Sequence, residues 1–151
     1  MQVKDAIQIE LSKEFSVPVD RLFKAWTTEE DLKQWWKPMG NTLTGLVNEL
    51  STGGRVEYKF STDEGVEAFT ISGTYKEAQP GKKLVYTWNW KLPSPSVQDT
   101  DFLLTIEFAS TGAGSSLHVM QEQFTSEEAV LPHKEGWEGA LQSLETYLQQ
   151  Q

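Results

Sequence analysis

The stretch of sequence that decides the fold runs from Gly136 to Leu148 and reads Gly-Trp-Glu-Gly-Ala-Leu-Gln-Ser-Leu-Glu-Thr-Tyr-Leu. Its large apolar residues recur at spacings of four, three and four: Trp137, Leu141, Leu144 and Leu148. This spacing places them on one face of an α-helix. A helix with such a face must pack against another layer, and the middle of the chain is typical of strands. We therefore predict a long C-terminal helix lying across an antiparallel sheet.

Composition limits the classes of protein that this chain can be. A length of 151 residues fits a single domain spanning residues 1–151. The net charge of −9 argues against nucleic acid as a partner, because phosphate binding needs clustered Lys and Arg. The chain has no Cys and no run of 18 apolar residues, which argues against disulfides, thiolate chemistry and membrane insertion. We expect a cytoplasmic monomer.

The amino-terminal third predicts one strand followed by two short helices. Apolar and polar residues alternate over residues 7–17, which is typical of a half-buried strand. Pro18 ends that strand, and the apolar residues from Val19 to Trp26 then follow helical spacing. Thr27 or Thr28 can cap a second short helix, which Pro38 and Gly40 end.

From residue 42 to residue 124 the period of the pattern changes to two, which predicts about six strands joined by hairpins. Turn sequences separate the strands at residues 51–54, 63–65, 79–82, 93–95 and 111–114. Hairpins followed by a helix indicate an α+β fold with an antiparallel sheet of six to seven strands. Because such a sheet twists and curls, it leaves a cleft beneath the helix, and clefts of this kind suit apolar ligands.

Four stretches of the sequence resemble a known family. They are residues 17–27 (VPVDRLFKAWT), residues 32–38 (LKQWWKP), Gly73-Thr74-Tyr75-Lys76-Glu77 with residues 80–88 (PGKKLVYTW), and Gly136-Trp137 with Leu141, Leu144 and Tyr147-Leu148. The chain thereby resembles the AHSA1-like family (activator of Hsp90 ATPase homologue) of the SRPBCC, or START-like, helix-grip superfamily. That superfamily includes birch-pollen-allergen-like proteins (Bet v 1) and polyketide cyclases. The resemblance implies a helix-grip fold, and either binding of apolar or aromatic small molecules or a co-chaperone role in stress response.

The aromatic residues at predicted inward positions are the main indication of a binding site. Tyr and Trp supply flat apolar walls together with a few polar atoms. We predict that the following residues line a cavity: Trp26, Trp35, Trp36, Met39, Tyr58, Phe69, Tyr75, Trp88, Trp90, Gln121, Trp137 and Leu141. The alternative is that these rings simply fill the core between helix and sheet.

The polar residues indicate no catalytic or metal centre, and we expect no cofactor. His118 is out of phase with the apolar residues of the last strand, whereas His133 lies near one mouth of the cleft. We interpret both as surface or satisfied histidines. Arg55 and Gln121 are candidate polar anchors in the cleft. Most of the strand acids are expected to face water, and the sequence identifies none that must face the cleft.

Three hypotheses of function follow, in order of preference. The first is a non-enzymatic binder of a small apolar molecule, aromatic or polyketide- or lipid-like, entering past residues 35–39 and 93–100. The second is an interaction module with a chaperone as partner. The third is a cyclase- or hydratase-like enzyme, which needs an acid–base pair inside the cavity.

Overall fold

The computed structural model describes residues 8–37, 40–91, 98–122 and 130–149. Of residues 98–101 and 130–132 it describes the backbone only. The elements in chain order are β1 (Ile9–Phe15), α1 (Val19–Thr27), α2 (Glu29–Trp35), β2 (Thr42–Asn48), β3 (Arg55–Ser61), β4 (Glu67–Gln79), β5 (Lys83–Lys91), β6 (Gln98–Thr111), β7 (Gly114–Glu122) and α3 (Val130–Gln149). The strands form one curved antiparallel sheet in the order β1-β7-β6-β5-β4-β3-β2. The fold is therefore α+β with a helix-grip architecture, as the sequence predicts.

The alternation along the strands separates a core face from a solvent face. On β5, Leu84, Tyr86 and Trp88 are buried, and the residues between them are partly exposed. The register continues this face across the sheet, since Tyr86 pairs with Tyr75 of β4 and Trp88 with Phe102 of β6. A side-chain period of two and antiparallel pairing thus concentrate the aromatic residues on the concave surface.

Helix α3 lies over this surface with the predicted stripe facing inward. Trp137, Leu141, Leu144 and Leu148 are each at most 7% exposed. The helix begins at Val130 and so extends further toward its amino terminus than the sequence pattern indicated. None of the helices described is both long enough and apolar enough to span a bilayer.

The short helices α1 and α2 are joined to α3 by a carboxylate at their centre. Asp31 of α2 is 7% exposed and accepts two hydrogen bonds of 3.2 Å from the Arg21 guanidinium and one of 2.9 Å from the Thr28 hydroxyl. The Tyr147 hydroxyl of α3 donates a further hydrogen bond to it. Burial raises the pKa of Asp31, but the hydrogen bonds from Tyr147, Arg21 and Thr28 outweigh it, so the pKa lies below its ordinary value. The four side chains form the Asp31 clamp.

Two glycines occupy positions in or beside the sheet where a side chain would be unfavourable. Gly81 adopts a φ of 79° in the turn between β4 and β5, a conformation that a side chain disfavours. Gly73 of β4 lies so close to β5 that a Cβ atom would meet the Thr87 carbonyl oxygen at 1.8 Å.

The predicted turn at residues 93–95 lies outside the described residues.

Candidate functional site

A small enclosed space lies between α1, α2, α3 and the concave face of the sheet. Its lining consists of Trp26, Leu32, Trp35, Trp36, Tyr58, Tyr86, Trp88 and Trp137. The volume open to the centre of a water molecule is about 10 Å³. A cavity needs roughly 10–15 Å³ on this measure to hold one water. In this conformation the rings therefore fill nearly all of the region where the two layers meet.

The lining rings contact one another in an ordered array that we call the tryptophan cluster. Trp137 of α3 stacks on Trp26 with ring centroids 5.9 Å apart and planes within 7°, and its other neighbour is Trp88 at 5.8 Å. Trp36 lies parallel to Trp88 at 5.9 Å and meets Tyr58 edge-on at 4.9 Å. Such offset-stacked and edge-to-face contacts are each worth about 0.5–1.5 kcal/mol beyond the area they bury.

Trp36 and Trp137 retain the most exposure among the lining residues, at 7% each. Trp36 follows the last residue of α2, with a backbone φ of −101° and ψ of 100°. Its backbone N–H donates to the Leu32 carbonyl at 2.8 Å, and its ring is held by contacts with Trp88 and Tyr58. These two rings are the parts of the cluster closest to solvent.

The polar atoms of the lining belong to two tyrosines and to the indole groups. The Trp26 Nε1–H donates to the Tyr86 hydroxyl at 3.4 Å. Burial raises the pKa of Tyr86 to about 12, and burial together with the neighbouring tyrosines raises the pKa of Tyr58 well above its ordinary value. Both phenols are neutral near pH 7, so they serve as hydrogen-bond donors and acceptors and not as bases.

A second polar group lies beside the cluster, on β7 and α3. Gln121 is fully buried, and its Oε1 accepts the Trp137 Nε1–H at 2.7 Å. Because an indole N–H only donates, this bond orients the amide and turns its NH₂ group toward His133 Nδ1, 3.4 Å away. The His133 ring in turn contacts Phe102 at 5.0 Å. We call this group the Gln121 network.

Six of the residues predicted to line a cavity come together in the tryptophan cluster: Trp26, Trp35, Trp36, Tyr58, Trp88 and Trp137. Leu32 and Tyr86 also line the space, although neither was among the predicted residues. The sequence contains a pattern that could have identified both residues. Tyr86 is in phase with Trp88 on one strand, and Leu32 shares the apolar face of α2 with Trp35.

The other predicted residues lie around this space and do not line it. Tyr75 is buried beside Tyr86, Phe69 stacks between Phe60 and Trp90, and Leu141 is buried under α3. Gln121 lies in its network and Trp90 is partly buried near His133. Met39 and residues 92–97 lie outside the described residues, so the predicted entrance stays a prediction.

The remaining polar predictions have mixed outcomes. His118 lies on the outer face, where it contacts Glu10 at 2.7 Å and Glu107 at 3.2 Å, as its phase predicts. The prediction of Arg55 as an anchor in the cleft is wrong, because Arg55 is exposed and out of phase with the buried Val56 and Tyr58. Within the part of the chain that the structure describes, no three His, Asp or Glu side chains are grouped so that they could hold a metal ion.

Comparison with solved structures finds the same fold in several bacterial proteins. A protein of Rhodobacter sphaeroides is 22% identical with a TM-score of 0.79, over 95% of this chain and 93% of that one. An AHSA1 protein of Silicibacter pomeroyi is 22% identical with a TM-score of 0.77, covering 94% and 97%. An AHSA1-like protein of Aeromonas hydrophila is 19% identical with a TM-score of 0.75, covering 95% and 92%. These similarities show the fold alone.

Sequence comparison identifies the family directly. A search of the curated proteins gives no match. The family model described as "Activator of Hsp90 ATPase homolog 1-like protein" matches residues 16–149, which include every element after β1. The chain therefore belongs to the AHSA1 family.

Proposed function

We propose that this protein binds a small, planar, apolar molecule in the tryptophan cluster, between α3 and the sheet. The observation that carries the proposal is the enclosed space lined almost wholly by aromatic rings. Binding sites for small molecules are concave, mostly apolar and furnished with a few fixed polar groups. The cluster has this composition, with the Tyr58 and Tyr86 hydroxyls and the indole N–H groups as its polar atoms.

The ligand enters by replacing contacts between rings, because a space of about 10 Å³ does not admit it otherwise. Trp36 and Trp137 are the rings that move, because they are the most exposed of the lining residues. Both of these rings contact Trp88. A flat aromatic ligand restores the stacking that each ring loses, so the exchange conserves both buried area and ring contacts. A branched or globular apolar molecule does not conserve those contacts, and we expect it to bind more weakly.

The experiment is a titration of ¹⁵N-labelled protein with 2-ethylnaphthalene, followed through the six indole N–H signals. The proposal predicts saturable shifts of the Trp36, Trp88 and Trp137 indoles. As a matched control, His118→Gln alters only the outer face of the sheet and leaves the binding curve unchanged. Shifts confined to outer-face residues, or no saturable shift at any concentration within the probe's solubility, would refute the proposal.

A co-chaperone role, as the family description suggests, is the second candidate. Interfaces that bind a chaperone through apolar contacts need a contiguous exposed patch. Among the described residues the one large hydrophobic side chain that is strongly exposed is Val66, at 60%. A chaperone contact would therefore rest on charge, and a stimulated chaperone ATPase rate that declines steeply with added salt is the result that would favour this candidate.

The structure also bears on an enzymatic role at the same place. Among the described residues, the titratable side chains that line the space are Tyr58 and Tyr86, and burial raises the pKa values of both. General acid–base catalysis near pH 7 uses groups whose pKa lies close to that pH. Binding without chemistry is therefore the function that these lining residues support best.

A further inference from the structure

The indole of Trp90 is a buried hydrogen-bond donor that lacks an acceptor. Its Nε1 atom is inaccessible to solvent and has no hydrogen-bond partner within the part of the chain that the structure describes. Three other tryptophans use this group: Trp26 donates to Tyr86, Trp35 to the Ala25 carbonyl at 2.8 Å and Trp137 to Gln121. A buried donor without an acceptor costs about 1–3 kcal/mol. Phenylalanine would fill much of the same space at this position without that cost.

Trp90 lies beside the proposed ligand site and is not one of the residues that line the space. It shares the inward face of β5 with Trp88, about 7 Å away along the strand. Its cross-strand partner Ile71 is fully buried, and its ring contacts Phe69 at 5.0 Å and the His133 ring of α3 at 6.0 Å. The indole therefore stands between the sheet and α3, next to both the tryptophan cluster and the Gln121 network.

The surroundings determine which acceptor fits this donor. Among the residues that the structure describes, no Lys or Arg side chain lines the adjacent space. His133 Nδ1 lies 3.4 Å from the Gln121 amide nitrogen, which can only donate to it. A carboxylate or phosphate would thus be buried without a counter-charge, which is costly, whereas a neutral carbonyl oxygen needs only a donor.

Resting on the proposed function, we propose that the Trp90 Nε1–H binds the neutral carbonyl oxygen of an aromatic ketone or quinone whose rings stack in the tryptophan cluster. The carbonyl supplies the acceptor that the indole lacks, and the aromatic part supplies the apolar area. This assigns the ligand an orientation, with its carbonyl toward β5 and α3 and its rings toward Trp88.

The test compares two ligands that differ in one group, 2-acetonaphthone and 2-ethylnaphthalene, with wild-type protein and Trp90→Phe. A hydrogen bond of about 1–1.4 kcal/mol corresponds to roughly five- to tenfold in affinity. We therefore expect Trp90→Phe to weaken binding of the ketone five- to tenfold more than binding of the hydrocarbon. The loss of ring area affects both ligands and cancels in the ratio. Trp35→Phe, whose indole already has a partner, serves as the control and changes both affinities alike.

A second readout does not depend on the variant. In wild-type protein, 2-acetonaphthone moves the Trp90 Hε1 signal downfield, and 2-ethylnaphthalene does not. If both ligands bind the cluster but Trp90→Phe weakens them equally and the Hε1 signal does not distinguish them, the carbonyl assignment is overturned while the proposed function stands. If neither ligand perturbs the cluster, the proposed function and the assignment fall together.

Discussion

Replacing Tyr147 by Phe removes one hydroxyl from the Asp31 clamp and nothing else. The aromatic ring stays, so its contact with the Arg21 guanidinium, 5.7 Å from the ring centroid, is kept. What is lost is the hydrogen bond from the Tyr147 hydroxyl to the Asp31 carboxylate, together with the interaction of that hydroxyl with the Arg21 guanidinium. Hydrogen bonds to charged groups contribute about 1.5–3 kcal/mol. Asp31 keeps its bonds from Arg21 and Thr28 and is not left unsatisfied. We therefore expect the free energy of unfolding to fall by about 1.5 kcal/mol at pH 7.

The pH dependence of this loss provides a sharper test than its size. Because the pKa of Asp31 is lower in the folded state than its ordinary value, its contribution is fully present above the unfolded pKa of about 3.9. The contribution is lost as the pH falls through the lower folded value. Tyr147→Phe removes one cause of the lowered pKa, so the carboxyl of Asp31 titrates at a higher pH in the variant. The difference in stability between the two proteins must therefore shrink as the pH falls through the folded pKa of Asp31 in the variant.

Urea unfolding between pH 7 and pH 3 measures the stability, and the ¹³C shift of the Asp31 carboxyl measures its pKa. The control is Thr146→Val, which removes an exposed hydroxyl of the same helix that donates to the Gln142 carbonyl at 3.1 Å. We expect this control to change stability by less than about 0.5 kcal/mol. An unchanged pKa of Asp31, or a loss in Tyr147→Phe that is independent of pH, would refute the reasoning.

Three further predictions concern the core. Gln121→Leu leaves the Trp137 Nε1–H without its acceptor and should cost about 2 kcal/mol, seen as a drop of roughly 4–8 °C in Tm; an unchanged Tm would contradict the role of this bond. Gly73→Ala should destabilise the protein by more than about 2 kcal/mol in urea, whereas Gly112→Ala, where a Cβ meets nothing within 4 Å, should change stability little; equal effects would disprove the close approach of β4 and β5. Tyr86, with its pKa raised to about 12, should not ionise near pH 10 in the folded state, and stability should decline as the pH rises above 10; a full tyrosinate absorbance step near pH 10 in protein that circular dichroism shows to be folded would speak against this.

The sequence predicts most of the architecture because the fold rests on two periodicities. The apolar stripe of α3 and the alternation on β5 each specify which face is buried, and the structure buries those faces. The phase of His118 likewise predicts its outer position. These features depend on local spacing, which a single sequence displays.

Other features depend on contacts between distant residues, and spacing does not display them. The acid at position 31 is expected from the favourable dipole at the start of α2, yet its hydrogen bond to Tyr147 joins residues 116 positions apart. The degree to which the tryptophans fill the cleft depends on side-chain rotamers across four elements. The aromatic pattern thus identified six lining residues and did not reveal how small a space they enclose.

Intermolecular NOEs between 2-acetonaphthone and ¹⁵N-labelled protein test the central claim most directly. We expect NOEs from the naphthalene protons to the indole N–H groups of Trp36, Trp88 and Trp137, and from the acetyl methyl group to the indole N–H group of Trp90. Contacts found only at outer-face residues such as Glu10, Glu107 and His118, with the indole signals unmoved at saturation, would contradict it.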